Sequence, residues 1–190
     1  MIHSLRYSAI LDANVLYPAP LRDFLLSIAD LNLFKPRWTA QIHEEWTRNL
    51  LIKRPDLNIE QLRKTVKAMN DAFPAANIEK YETLIDSLSL PDPNDRHILA
   101  AGIRSKADVI VTFNLKDFPS ARLKEFDIDA LRPDEFIKNL MEINMGLVIN
   151  AFHNQVRRLR NPIKTKEQVI KSLEKCGLRK CSEILKENTC

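Results

Sequence analysis

Ala9-Ile10-Leu11-Asp12-Ala13-Asn14-Val15-Leu16 decides how this chain is read. A short apolar run ends on a single acid, and Pro18 and Pro20 then introduce a helical pattern. A buried strand that delivers one carboxylate at its C-terminal end, just ahead of a helix, is how open α/β sheets build sites. Three further acids, Glu45, Asp95 and Asp117, lie far along the chain, and the remaining elements form a frame able to bring them to Asp12.

Working outward, Tyr7–Leu11 reads as a strand and Pro20–Phe34 as a helix, with Leu21, Phe24, Leu25, Ile28 and Leu31 at helical spacing. Lys35-Pro36-Arg37-Trp38 breaks that helix, and Thr39 caps the next one, over 40–53. Asn58 caps a third, with the stripe Ile59, Leu62, Val66, Met69 and Phe73. Residues 76–90 hold a short strand near Ile78 and a helical turn near Leu84. Asp92-Pro93 opens a helix through Arg104. Asp108–Phe113, DVIVTF, is a β-branched run suited to burial on both faces. A loop with Asp117, a short helix and a strand at 128–131 come next, and Pro133 starts another helix. This order implies an α/β fold: a parallel sheet flanked by helices. From Asn144 the pattern is purely helical, with the stripe Met145, Val148, Ile149, Phe152, Val156 and Leu159. A further helix starts at Thr165 and is closed by Gly177. The reading divides the chain into a domain at 1–140 and a basic helical extension at 141–190.

Composition narrows the chemistry. The three glycines exclude a phosphate-cradling P-loop and a dinucleotide fingerprint. The three cysteines all sit in the last fifteen residues, which argues against a disulfide framework and for a cytoplasmic protein. Residues 1–6 lack the apolar stretch of a leader, and no run approaches the about 18 apolar residues of a membrane helix. Residues 1–152 carry 19 Lys+Arg against 21 Asp+Glu, a net of −2, whereas 153–190 carry 10 against 4, a net of +6. An acidic body with a basic tail suits a polyanionic partner, and a solvated helical face is the plainer reading of the same charge.

Each of the four acids also has a structural role to weigh. Asp12 suits an Asx turn or helix cap, yet burying it calls for a donor or a cation. On helix 40–53, Ile42, Trp46 and Leu50 mark the buried face. Glu45 lies on its flank beside Asn49, while Glu44 points away and is placed to pair with Arg48, so Glu45 is preferred over Glu44. His43 reads as locally satisfied. Asp95 completes a good helix start with Asp92 and Pro93, and His97, pointing another way round the helix, is not read as a base. Asp117 follows DVIVTF; if that strand neighbours 7–11 in parallel, Asp12 and Asp117 emerge at one sheet edge. Carboxylates gathered in one pocket repel unless a cation is present. Oxygen donors without a His/Cys set select Mg²⁺ or Mn²⁺, ions that activate water and stabilise charge on a phosphodiester.

Asp12-Ala13-Asn14-Val15-Leu16 resembles the D-x-N-x-L opening of PIN-domain nucleases. Residues 91–101, PDPNDRHILAA, resemble their third acidic motif, and Val111–Phe118 resembles their T-x-N-x-x-D-F segment. The nearest likeness is to VapC-like toxins of toxin–antitoxin pairs. The resemblance implies a five-stranded parallel sheet and a Mg²⁺- or Mn²⁺-dependent endoribonuclease, with dimerisation and inhibition by a small antitoxin. It carries the metal-binding role to Asp12, Asp95 and Asp117, and by position to Glu45. Asn14, Thr112 and Asn114 become supporting polar residues. Lys116, Arg157, Arg158 and Arg160 are candidate contacts to RNA phosphates. A non-catalytic binding module on the same scaffold and a DNA-directed nuclease with the same acids are the rival readings. Asn14 in place of a second aspartate disfavours a DxD phosphatase. The resemblance assigns nothing specific to residues 141–190.

Overall fold

The structure, a computed structural model, describes residues 7–189. The stretch read as free of an apolar leader and Cys190 lie outside these residues. Strand β1 (Ser8–Leu11) is buried along its whole length, as expected for a strand covered on both faces. It pairs in parallel with β2 (Lys35–Arg37) on one side and β3 (Val109–Val111) on the other, and β4 (Asp129–Leu131) pairs with β3. The sheet is therefore all parallel, in the order β2-β1-β3-β4. Ile10 faces Ile110 across the β1–β3 ladder, so both strands end at one edge of the sheet.

The connections are helical: α1 (Ala13–Leu16), α2 (Ala19–Asp30), α3 (Ala40–Lys53), α4 (Ile59–Ala72), α5 (Glu82–Ile85), α6 (Arg96–Ser105) and α7 (Ser120–Leu123). Their starts reflect local chemistry. The Thr39 hydroxyl accepts from Ile42 N at 3.1 Å, and the Asn58 amide oxygen accepts from Glu60 N at 2.8 Å. Pro93 opens a 3-10 turn ahead of α6, with the Asp92 carboxylate accepting from Asn94 N at 2.9 Å.

Two expectations change. Lys35-Pro36-Arg37 is read from sequence as a helix breaker, but it is edge strand β2, a position that tolerates proline. The sheet also has four strands rather than five among the described residues. The segment expected as a strand near Ile78 forms a single bridge: Trp38 N donates to Ala76 O at 3.0 Å, and Ile78 N donates to Trp38 O at 2.8 Å. Successive backbone groups of a strand alternate in direction, so residue 36 faces the same side as Trp38. Proline there has no N–H with which to extend the ladder.

Helix α8 (Pro133–Arg158) breaks at Asn144, whose backbone leaves the helical region (φ −156°, ψ 89°). The Asn144 side chain caps the second half of the helix, accepting from Leu147 N at 3.0 Å. That second half, α9 (Lys166–Lys175) and α10 (Arg179–Thr189) share the core of the sheet. Phe136 packs on Tyr7 and Phe34, with ring centroids 5.7 and 5.0 Å away. Phe152 meets Phe24 edge-on at 6.4 Å, and the Gln155 amide donates to Pro20 O at 2.8 Å. Helix α10 has no counterpart in the sequence reading, because its capping acid is remote. The Asp134 carboxylate accepts from Lys180 N and Cys181 N at 3.1 and 3.0 Å.

Gly177 closes α9 with φ +93°, and a Cβ there would lie 3.2 Å from Cε1 of Phe113, beside the end of β3. Gly177→Ala is expected to destabilise the protein by about 1–2 kcal/mol, through left-handed strain and this contact. The check is the urea unfolding midpoint at unchanged slope.

Candidate active site

Asp12 follows β1 and extends the ladder by one bond, its N–H donating to Val111 O at 3.1 Å. Its carbonyl accepts from Val15 N and Leu16 N at 3.0 and 3.1 Å, so the backbone starts α1. The side chain is not spent as a helix cap. Instead Oδ2 accepts from the Thr112 hydroxyl at 2.6 Å and the Asn14 amide at 2.5 Å. Asn14 also donates to Thr112 Oγ1 at 3.1 Å and accepts from Phe113 N at 3.1 Å, and Asn114 N donates to Thr112 Oγ1 at 3.0 Å. This network crosses from β1 to β3 and is possible only because the two strands are parallel neighbours. Burial and the nearby Glu45 push the Asp12 carboxyl above its ordinary value, while Thr112 and the N–H groups of Ala13 and Asn14 oppose them.

Asp117 ends a 3-10 turn after β3 and is buried. Asp95 ends the 3-10 turn before α6 and is half-buried. Its carboxyl is pushed up to about 6, first by burial and then by Asp12, Asp92 and Asp117, with His97 opposing. Asp95 thus senses the charge of both Asp12 and Asp117, the other two sequence-predicted acids of this end of the sheet. Glu45 joins them from the middle of α3: half-buried, it repels Asp12, and its Oε1 lies 3.1 Å from Nε2 of His97. Glu44, by contrast, is exposed.

Asp12, Asn14, Asp95 and Asn114 line one cleft of about 460 Å³, together with Tyr17, Asn49 and Lys53. Asn49 and Asp95 also line an adjoining, more polar cavity of about 670 Å³, which holds Glu45 and Arg48. The two cavities share a wall, so one groove runs along α3 past the acids. Among the described residues, no three acidic, histidine or cysteine side chains are arranged as a ready-made metal cage. Asp12, Asp95 and Glu45, which line these cavities, and the buried Asp117, which lines neither, offer only oxygen donors, the type that hard cations take.

The other sequence-predicted residues divide. Asn14 and Thr112 hold Asp12, and Asn114 lines the cleft. Lys116 is exposed in the turn that carries Asp117. Arg157 hydrogen-bonds Asn154, Arg158 lies 3.2 Å from Asp30, and Arg160 bridges to Ile163; none of the three lines the groove. The expected Glu44–Arg48 pair is not formed among the described residues, since an exposed i,i+4 pair gains only about 0.3–0.5 kcal/mol. His43, expected to be satisfied locally, is so at one nitrogen only: Nδ1 accepts from Trp46 Nε1 at 3.0 Å, while the buried Nε2 has no hydrogen-bond partner among the described residues, and burial drives the ring down to about 4.

Sequence reasoning misses His97, Arg48, Lys53 and Tyr17. His97 turns away from Asp95 to meet Glu45, a contact across two elements that no local pattern announces. Its Nε2 faces the Glu45 carboxylate, and its Nδ1 is buried without a hydrogen-bond partner among the described residues. Lys53 had a usable signal: Glu45, Asn49 and Lys53 have i, i+4, i+8 spacing, one stripe of a helix.

Two family models match the chain in order. One, described as a PIN domain, covers residues 8–116, and the other, described as a VapC50 C-terminal domain, covers residues 133–187. The chain is also 51% identical over 49 residues to "Putative ribonuclease VapC50" of Mycobacterium tuberculosis. That alignment covers 26% of this chain and 29% of that protein, well short of its full length. No solved structure matches the chain. Residues 133–187 thus resemble the VapC50 C-terminal domain, and the PIN-domain match, which spans more than half of the 190 residues and takes in strands β1 to β3 with Asp12 and Asp95, shows that this chain belongs to the PIN-domain family.

Proposed function

We propose that this protein is a Mg²⁺- or Mn²⁺-dependent endoribonuclease, acting in the cytoplasm as the toxin of a toxin–antitoxin pair. The reading includes a homodimer and a small antitoxin protein that neutralises it. The observation that carries it is the acid cluster: Asp95 is raised to about 6 by burial and by Asp12, Asp92 and Asp117, a repulsion that a divalent cation would relieve. The name of the relative, a ribonuclease, supports RNA as the substrate. No helix among the described residues is long and apolar enough to cross a membrane.

Asp12, Asp95, Asp117 and Glu45 would hold the ion. Once bound, it would supply an activated water and offset charge on the phosphodiester. The chain's own residues set the stage. Thr112 and Asn14 fix one oxygen of Asp12, so the orientation of that carboxylate is settled before substrate arrives. His97, buried on α6, restrains Glu45. Arg48, in the cavity with Glu45 and Asp95, and Lys53, in the cleft with Asp12 and Asp95, offset the repulsion that an RNA backbone meets there. By family analogy, the products carry 5′-phosphate and 3′-hydroxyl ends.

Purified protein is expected to cut a mixed RNA pool with Mg²⁺ or Mn²⁺ and not with EDTA. Asp12→Asn should lower the rate about a hundredfold or more, the scale of several kcal/mol of lost charge stabilisation. Folded, antitoxin-free protein that leaves the pool intact would instead support the non-catalytic binding module, and cutting confined to DNA would support the DNA-directed enzyme.

The acid cluster also predicts a stability signature. A carboxyl raised in the folded state binds its proton more tightly there than in the unfolded chain. Stability is therefore lost as pH rises from about 4 to about 6, and the penalty is complete above that. In EDTA at pH 8, Asp95→Asn is expected to be more stable than the parent by about 1–2 kcal/mol, after allowance for solvent screening. Adding Mn²⁺ should raise the melting temperature of the parent far more than that of Asp95→Asn. Equal shifts would remove Asp95 from the ion site.

A further inference from the structure

We propose that Tyr17 and Lys53 form a nucleotide subsite beside the acid cluster, in which the Tyr17 ring stacks on a base of single-stranded RNA and Lys53 pairs with the adjacent phosphate. The proposal deepens, and rests on, the ribonuclease reading above.

Four observations carry it. Tyr17 lines the same cleft as Asp12 and Asp95, so a base on its ring would neighbour the phosphodiester that the acids address. Tyr17 is half-buried and packs against the core, which steadies it as a platform. Lys53 is exposed and makes no ion pair among the described residues, and its Nζ lies over the Tyr17 ring, 5.4 Å from the centroid. Asn49 and Asn114, both exposed, line the same cleft.

The chemistry of these groups is that of a single-strand site. Every nucleobase has a π face that stacks on an aromatic ring, so such a platform holds unpaired bases with little sequence preference. A base inside a duplex is already stacked and cannot reach the ring. In the free protein the Lys53 ammonium rests on the ring through a cation–π contact, which is weak at an exposed position. A base arriving on Tyr17 displaces the ammonium toward the phosphate that accompanies it, and the same cation serves both states. In the adjoining cavity, Arg48 is likewise exposed and without an ion pair among the described residues, which extends the basic track along α3.

The test is fluorescence anisotropy of a short, labelled, mixed-sequence single-stranded RNA, read in EDTA so that the RNA stays intact. Thermal melts confirm that each variant is folded. Tyr17→Leu is expected to weaken binding about five- to a hundredfold, and Tyr17→Phe to stay within about twofold of the parent, because stacking needs the ring and not the hydroxyl. Binding of duplex RNA should not respond to Tyr17→Leu. Lys53→Ala should flatten the dependence of log affinity on log salt by about 0.7, the contribution of one phosphate on a single strand. Parent-like binding by Tyr17→Leu, an equal loss on duplex, an unchanged slope for Lys53→Ala, or no binding by the parent would each overturn the subsite. Cleavage is read separately with Mn²⁺: cutting without a Tyr17 effect removes the subsite and leaves the nuclease, and Tyr17-dependent binding without cutting does the reverse.

Discussion

Asp12 is the most costly residue in the sheet to place, and the geometry around it exists to make that placement tolerable. A carboxylate nearly sealed from water at the end of a buried strand must find donors or lose its charge. Two short hydrogen bonds, from Thr112 on the neighbouring strand and from Asn14 on the first turn of α1, fall on a single oxygen. Thr112 is itself fixed by accepting from Asn114 N, and Asn14 by accepting from Phe113 N. The parallel register of β1 and β3 is the condition for all of it. A slip of one residue would turn Asp12 away from Thr112 and break the bonds that tie the two strand ends together.

The rest of the fold serves that edge. Helix α6 enters through Asp95, helix α3 brings Glu45, and the turn after β3 brings Asp117. The C-terminal helices are not a loose tail on this arrangement. The Asp134 carboxylate caps α10, the Gln155 amide holds the start of α2, and Gly177 seats against Phe113 at the end of the site strand. A basic segment thus contributes its apolar faces to the common core and turns its charges outward.

Charge is arranged with equal economy. Burial first, and then repulsion by neighbouring acids, raises the Asp12 and Asp95 carboxyls beside a groove that Asp12, Asp95 and Glu45 line. Two exposed cations, Arg48 and Lys53, lie on the helix that also supplies Glu45. The tail arginines, which dominate the charge balance of the sequence, lie outside the groove, with Arg157 and Arg158 engaged by Asn154 and Asp30.

The sequence by itself determined whatever local physics controls. The β1 and β3 strands come from apolar and β-branched runs, the helix starts at Thr39, Asn58, Asp92 and Thr165 from capping chemistry, and the close of α9 at Gly177 from its left-handed backbone. The preference for Glu45 over Glu44 rests on helical spacing, and Glu45 is the one that meets the acid cluster. Only the tertiary structure decided the rest. Edge strand β2 is held by one neighbour and contains a proline, so its own residues do not announce it. The His97–Glu45 contact joins α6 to α3, and the cap of α10 comes from a residue on α8. The Tyr17–Lys53 contact and the absence of a Glu44–Arg48 pair among the described residues depend on which way exposed side chains turn in the assembled groove. Those choices are made by neighbours distant in sequence, at energies too small for local pattern to fix.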